Sequence, residues 1–291
     1  MKDVYYQEGF PDPVFDKEYV LRLVRPFAPG AGDVTGVDET GGEARTYAID
    51  GDIILKVQRP HRLRLRTSLA KEAFFLKELE RHGICGVPRL LGYGKEGTVE
   101  YNCITRVPGV PVRNAHLDDK QREKMLIELG RTLYAIHNVD IKPFYESGLF
   151  LDTDKSDEDV RRRVKHYFTG TLDRISRNPE LTQSDIDAAA NKADSLIAKI
   201  TDVRVKPRHA DPSSEHTFVE KSEFSGVIDF GDSYITHPAL DLRRWPQGER
   251  EILLEAYINA GKTEPSFKAV CEAVFGVEKI LEDLRDKSRR V

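Results

Sequence analysis

The 291-residue chain has no apolar run approaching the roughly 20 residues that a membrane-spanning helix needs, so no transmembrane segment is expected. Its opening stretch, MKDVYYQEGFPDP, lacks the apolar core of a signal peptide, and a cytoplasmic location is expected. Cysteine is scarce: Cys85, Cys103 and Cys271 lie far apart and form no Cys-x-x-Cys pair. That usage fits a reducing compartment, with all three as small core or surface residues. An excess of one charge is also missing, since 45 Lys and Arg face 49 Asp and Glu for a formal net charge of -4. This balance offers no basic field for nucleic acid and no polybasic membrane signal, and neither partner is expected. There is no internal repeat and no low-complexity tract. What remains, at 39% hydrophobic and 32% charged residues, is a soluble globular chain long enough for two lobes and a substantial core.

Two short apolar segments come first, around Tyr5 and from Tyr19 to Val24, separated by Pro11 and Pro13. A Gly-rich loop from Gly36 to Gly42 precedes a strand near Arg45 to Ile49, the turn Asp50-Gly51 and a second strand, Ile53 to Val57. Asp-Gly between two β-prone runs predicts a hairpin. The basic run 59–66 reads as phosphate contact or, preferably, as a solvated connection. In SLAKEAFFLKELERHG, Leu69, Ala73, Leu76 and Leu79 recur near helical spacing and Gly83 is the terminator. Residues 87–109 then predict two strands around a turn. Gly92, Gly94 and Gly97 form a formal Gly-x-Gly-x-x-Gly. A dinucleotide fingerprint must open a helix, whereas TVEYNCIT is β-branched and extended, so the glycines mark a hairpin.

After Pro108-Gly109 the pattern turns helical, and a lobe boundary is expected there, between 1–107 and 108–291. Leu126, Leu129, Leu133 and Ile136 share one face of a buried helix, with His137 as a packed histidine at its end. Residues 141–182 read as irregular and charged, with Ser156 and Asp159 as an N-cap pair leading into DVRRRVKHYF. Asp152, Asp154, Asp157, Glu158 and Asp159 either favour that helix N-terminus or line a site for a cationic substrate. Ser184 is expected to cap a further helix reaching about Ile200. Phe267, Val270, Cys271, Val274 and Phe275 form an amphipathic face.

The chemistry concentrates between Lys206 and Trp245, where His209, Asp211, His216 and Asp229 sit at the ends of short apolar runs. Buried strands rarely tolerate unpaired charge, so such residues at strand ends suggest a site. Phosphoryl transfer needs a lysine on the nucleotide phosphates, protein ligands for a divalent metal, and a carboxylate that orients the acceptor hydroxyl. Lys56 stands in IILK on the second hairpin strand, Glu72 on the following helix, Asp211 in a His-x-Asp loop, His216 five residues on, and Asp229 opens Asp-Phe-Gly. The rival reading is a mixed nitrogen and oxygen metal cluster of a hydrolase, which leaves Lys56, Glu72 and ITRVPG unexplained.

VPRLLGYG, ITRVPG, the helix ending in AIH, the His-x-Asp loop and IDFGD followed by HPALDL stand in the order of the aminoglycoside phosphotransferase family, which the chain resembles from about 33 to 245. The resemblance implies an α+β, two-lobed, protein-kinase-like fold with a small antiparallel-sheet nucleotide-binding lobe and a larger helical catalytic lobe. It implies a kinase that moves the γ-phosphate of ATP or GTP to a hydroxyl of a small molecule, aminoglycosides and other antibiotics included, with Mg²⁺ or Mn²⁺ as cofactor. Asp211 then matches the catalytic base, Asp229 the metal-binding aspartate, Lys56 the phosphate-binding lysine paired with Glu72, and Thr105 to Val107 the hinge that takes the base. Asp241 matches a brace of the catalytic loop, His209 is structural, and Asp232 falls between metal support and substrate contact. One position departs: His216 stands where asparagine is usual, as in the similar aminoglycoside 2''-phosphotransferases, and imidazole suits Mn²⁺ better than Mg²⁺. That departure keeps open a catalytically weak or silent nucleotide-binding protein.

Overall fold

The computed structural model describes residues 15–38, 43–59 and 69–289. The expectations for Tyr5, for most of the Gly36–Gly42 loop and for most of the 59–66 run lie outside them. Contacts divide the chain into two compact units: 1–125, 139–151 and 209–234 form the first, and 126–138, 152–208 and 235–291 the second. The expected boundary at 107–108 falls inside the first unit, which also takes in two later segments.

The first unit is built on an antiparallel sheet of β1 (Val34–Asp38), β2 (Ala44–Ile49), β3 (Ile53–Gln58), β4 (Leu90–Glu96) and β5 (Val99–Thr105), in the order β1-β2-β3-β5-β4. The β2–β3 hairpin forms where Asp50-Gly51 predicts it, with Ile49 opposite Ile53. Asp50 and Gly51 both hold positive φ, at 51° and 97°, a conformation that Asp tolerates and Gly adopts freely. The Asp50 carboxylate also accepts the N–H groups of Gly32 and Asp33, each at 2.8 Å, and so ties the hairpin to the chain entering β1.

Strand alternation assigns the two faces. Tyr47, Ile49, Leu55, Val57, Tyr101 and Cys103 form one core with Val20, Leu21, Leu23 and Val24 of α1 (Lys17–Val24). Lys56, one residue out of phase with Leu55 and Val57, points to the other face, opposite Asn102 of β5. The Gly-x-Gly-x-x-Gly match is a hairpin, as expected, and its glycines have a packing cause. A Cβ at Gly92 would come 2.0 Å from the Phe27 ring, and one at Gly94 2.3 Å from the Tyr101 ring. The two glycines are shelves for aromatic rings, and the chain runs from them into β5 rather than into a helix.

The helix α2 (Leu69–Arg81) buries Leu69, Ala73, Leu76 and Leu79 as the spacing predicts, and it also buries Glu72 completely. A short strand β6 (Val110–Pro111) precedes α3 (Asp119–His137), which buries Leu126, Leu129, Leu133 and Ile136. The stretch expected to be irregular holds two helices, α4 (Lys142–Glu146) and α5 (Asp157–Ile175), the latter capped by Ser156. In α6 (Gln183–Ile197) the cap is Thr182 rather than Ser184, and the helix ends before Ile200. The physical reason is a capping box: the Thr182 hydroxyl accepts the Asp185 N–H at 3.2 Å, and the Asp185 carboxylate accepts the Thr182 N–H at 3.1 Å.

Next come β7 (Lys206–Arg208), β8 (Thr217–Glu220), β9 (Glu223–Val227) and β10 (Tyr234–Thr236). β6, β8 and β9 make one small antiparallel sheet, and β7 pairs with β10. The chain ends in α7 (Ala239–Leu242), α8 (Gln247–Ala260) and α9 (Phe267–Lys287). Phe267, Val270, Cys271 and Val274 are buried, and α9 packs against α5, α6, α7 and α8. None of the described helices is long and apolar enough to cross a membrane.

Candidate active site

Within the first unit, Lys56, Glu72, His209, Asp211, His216 and Asp229 come together around the turns that flank β8 and β9. Lys56 Nζ donates to Glu72 Oε1 at 2.9 Å and to Asp229 Oδ1 at 2.7 Å. Burial works against the Lys56 charge, but the Asp229 and Glu72 carboxylates outweigh it and raise its pKa further, so the ammonium is permanently charged. Burial likewise opposes ionisation of Asp229. The Lys56 ammonium, with His216 and His209 behind it, outweighs that and holds the carboxyl well below the usual carboxylate range. Asp229 still keeps 44% of its side-chain surface exposed, whereas Glu72 is fully enclosed.

An enclosed carboxylate must have its oxygens engaged. Glu72 Oε1 also accepts the Phe230 N–H at 3.2 Å, and Oε2 accepts Asn102 Nδ2–H at 3.2 Å. Asn102 in turn donates to Leu69 O at 2.9 Å. Asn102 is a residue that sequence reasoning missed. Its signal is a polar amide in the middle of VEYNCIT, otherwise a strand of β-formers.

The two histidines of the loop differ in role. His209 donates Nε2–H to Ile228 O at 2.8 Å and accepts the Asp211 N–H on Nδ1 at 3.1 Å. Both ring nitrogens are therefore engaged with backbone, and a base function is excluded. The ring packs on Phe230 with centroids 4.5 Å apart. His216 donates Nδ1–H to the Asp211 carbonyl at 2.8 Å, which directs Nε2 to Asp229 Oδ2 at 3.6 Å. Its own carbonyl accepts the Ile228 N–H at 2.9 Å, linking the two turns. The backbone is strained on both sides, with φ of +91° at Ala210 and +74° at Asp229. Conformations of this kind persist where surroundings over-determine them, commonly at functional sites.

The donors present, one carboxylate and one imidazole, fit a divalent ion, Mn²⁺ better than Mg²⁺. Asp229 supplies carboxylate oxygens and His216 an Nε2 lone pair, its tautomer set by the Asp211 carbonyl. Among the described residues no third His, Cys, Asp or Glu completes a protein-only cage. Mg²⁺ and Mn²⁺ need none where substrate phosphates and water fill the remaining positions. A hydrolase cluster that includes His209 is disfavoured because both of its ring nitrogens are occupied by backbone groups.

The remaining predicted residues separate. After Thr105 ends β5, Arg106 N–H donates to Asp52 O at 2.7 Å and Ser225 Oγ–H to Pro108 O at 2.7 Å, which pins both ends of a stretch holding the buried Val107. Asp232 is half-buried in the turn after Phe230. Asp241 belongs to the second unit, where it is fully buried between Arg208 at 2.6 Å and His137 Nε2 at 2.9 Å. Burial lowers the His137 pKa against the pull of Asp241, so the neutral ring donates Nε2–H to Asp241 and accepts the Tyr257 hydroxyl at 3.1 Å. Sequence reasoning missed Arg208 and the His137 link. Arg208 is covalently joined to His209, so Asp241 anchors the residue that leads into the loop.

The acids at 152–159, also in the second unit, are engaged by their own neighbours. Arg163 pairs with Asp154 at 2.7 Å and with Asp152 at 2.9 Å, and Asp154 also accepts the Thr236 hydroxyl. Asp157 accepts the Asp202 and Val203 N–H groups at 2.9 and 3.0 Å. Asp159 accepts from the Lys155 backbone and Ser156, with Arg162 beside it, and its pKa falls to about 2.

Comparison with known proteins places these observations. The model of a family described as phosphotransferase enzyme family (APH) matches residues 37–270. No curated protein sequence matches the chain. Among solved structures, the chain is similar to the macrolide 2'-phosphotransferase MphH from Brachybacterium faecium, at 21% identity and a TM-score of 0.61, over 94% of this chain and 99% of that one. It is also similar to a GDP complex of aminoglycoside 2'-phosphotransferase-IIIa, at 13% identity and 0.66, over 94% and 99%. A gentamicin complex of APH(2")-IIa matches at 16% identity and 0.60, over 96% and 98%. The fold is thus the α+β kinase-like fold of these phosphotransferases.

Proposed function

Because the chain belongs to the phosphotransferase enzyme family, we propose that it moves the γ-phosphate of ATP or GTP to a hydroxyl of a small molecule. The observation that carries the reading is Lys56, held at once by the enclosed Glu72 and by Asp229. Such an arrangement fixes a cation where nucleotide phosphates would lie. Thr105 and Val107 take the base through their backbone. Asp211, held between the His209 ring on its N–H and the His216 ring on its carbonyl, orients the acceptor hydroxyl and receives its proton. His216 and Asp229 would hold Mg²⁺ or Mn²⁺, which when bound neutralises phosphate charge. His209 and Asp241 brace the loop, and Asp232 supports the metal or the acceptor.

The acceptor is a hydroxylated small molecule, and the named relatives include both macrolide and aminoglycoside phosphotransferases. The occupied acids at 152–159 remove one reason to favour a polycation. A coupled screen of nucleoside diphosphate release against aminoglycosides, macrolides, choline-like compounds and sugars, with ATP and GTP in parallel, tests the reading. Acceptor-dependent release supports it. Nucleotide binding without transfer to any acceptor and without slow hydrolysis favours the silent binding protein that His216 kept open.

A further inference from the structure

The second unit holds a cavity of about 270 Å³. Its floor is one face of α9, where Glu278, Glu282 and Arg285 recur at i, i+4 and i+7. Its walls are Tyr167 of α5 and the stretch from Arg243 to Pro246 that leads into α8. Arg243 is the fixed point: its guanidinium lies 3.7 Å from the centre of the Tyr167 ring and donates Nη1–H to Glu278 at 2.8 Å. The Tyr167 hydroxyl donates to the same carboxylate oxygen at 2.7 Å, and Arg285 reaches the other oxygen at 3.4 Å. Burial opposes ionisation of Glu278, but Arg243, Tyr167 and Arg285 outweigh it, so the group is a carboxylate. Glu282 is taken by Arg250 at 2.5 Å. Arg250 is almost fully buried, and its Nη1 has no partner among the described residues. Arg243, Arg244, Arg250 and Arg285 thus stand against Glu278 and Glu282, an excess of two positive charges. Pro246 is the N-cap of α8 and offers no side-chain acceptor to the first-turn N–H groups, so the positive end of that helix adds to the same wall.

We propose that this cavity binds a phosphate group, free or carried on a small monoester. The charge excess of two matches the nearly dianionic form that a phosphate monoester takes at neutral pH. Arginines recognise such oxyanions through charge-assisted and often bidentate hydrogen bonds. A guanidinium already held by a stacked ring and an ion pair, as Arg243 is, loses little side-chain freedom when an oxyanion joins it. The volume falls below the roughly 300–1,000 Å³ of pockets that enclose drug-sized molecules, so the occupant is a small anion and not an antibiotic acceptor. Every lining residue belongs to the second unit, and none is among those assigned to phosphoryl transfer, so the site stands independently of that reading.

Titration calorimetry of the full chain with inorganic phosphate and with glucose 6-phosphate, at low ionic strength, tests the site. One saturable binding event is expected with at least one of the two. Tighter binding of the ester identifies phosphate carried on a small molecule, and tighter binding of the inorganic ion identifies free phosphate; both support the proposal. Arg244→Gln and Arg285→Gln should each weaken that binding by roughly tenfold to a hundredfold, the value of one charged hydrogen bond. Both side chains reach solvent, so the variants are expected to fold, and either serves if the other does not. Arg285→Lys keeps the charge without the planar fork and should lose less than the glutamine variant. Lys56→Ala, in the first unit, should leave the phosphate affinity unchanged. Absence of saturable binding with both ligands overturns the proposal. Wild-type affinity in both glutamine variants overturns it as well, as does phosphate binding that is lost in Lys56→Ala and kept in the arginine variants.

Discussion

His216 donates its Nδ1 proton to the carbonyl of Asp211, 2.8 Å away, so the proposed base and the proposed metal ligand share one hydrogen bond. A change at either residue therefore reaches the other. His216→Asn replaces the imidazole by the oxygen donor usual at this position, and its turnover ratio between Mg²⁺ and Mn²⁺ should move toward Mg²⁺. An unchanged metal ratio, measured at saturating nucleotide, would remove His216 from the metal site.

Asp211→Asn keeps the shape of the loop and removes the proton acceptor. Turnover should fall by about 10²–10⁴-fold while nucleotide affinity is retained. Wild-type turnover in this variant would contradict the assignment. Asp229→Ala should instead weaken metal-dependent nucleotide binding.

Asn102 supplies a hydrogen bond to the enclosed Glu72 carboxylate. Asn102→Leu is expected to cost about 1–3 kcal/mol of stability, because it leaves a charged oxygen short of a partner. The same variant should lose activity in excess of its lost stability, since Glu72 positions Lys56. Chemical denaturation alongside turnover separates the two effects.

Ala210 holds φ at +91°, where a side chain is strained. Ala210→Gly removes about 1–3 kcal/mol of strain and adds about 0.4–1 kcal/mol of unfolded-state entropy, so a net gain in stability is expected. A destabilised glycine variant would show that the loop is not strained there.

Stability should also depend on pH through His237, which is buried and whose pKa burial pulls down to about 3, with a smaller push from His137. The unfolded chain binds this proton near pH 6.5 and the folded chain does not. The stabilisation is complete above about pH 6.5 and is lost progressively as the pH falls toward 3, at up to about 1.4 kcal/mol per pH unit. Denaturation between pH 7.5 and 5 should show this slope, and His237→Phe should reduce it, leaving the part that the buried His137 contributes. An equal slope in the variant would place the titration elsewhere.

Much of the fold is readable from the sequence alone. The Asp50-Gly51 hairpin, the α2 and α3 faces and the Ser156 cap follow from local rules that tertiary packing did not override. The α6 start did not, because Ser184 and Thr182 are equally good caps until Asp185 closes the box with one of them. At the site, Lys56, Glu72, Asp211, His216 and Asp229 could be named from order and spacing. Asn102, Arg208 and the His137–Asp241 contact could not, because each couples residues 30 or more apart in sequence and carries no local pattern. The orientation of each imidazole was equally hidden, since it depends on which carbonyl lies opposite.

The Arg163 pairing with Asp152 and Asp154 has a consequence for what the second unit presents to small molecules. From 152 to 163 there are five acidic residues and four basic ones, so a segment that looks anionic in its first half is almost charge-neutral as folded. At physiological ionic strength such a compensated patch projects little field beyond about 8 Å. An acceptor drawn to this segment would be recognised by shape and by individual hydrogen bonds, and its capture rate there should change little with salt.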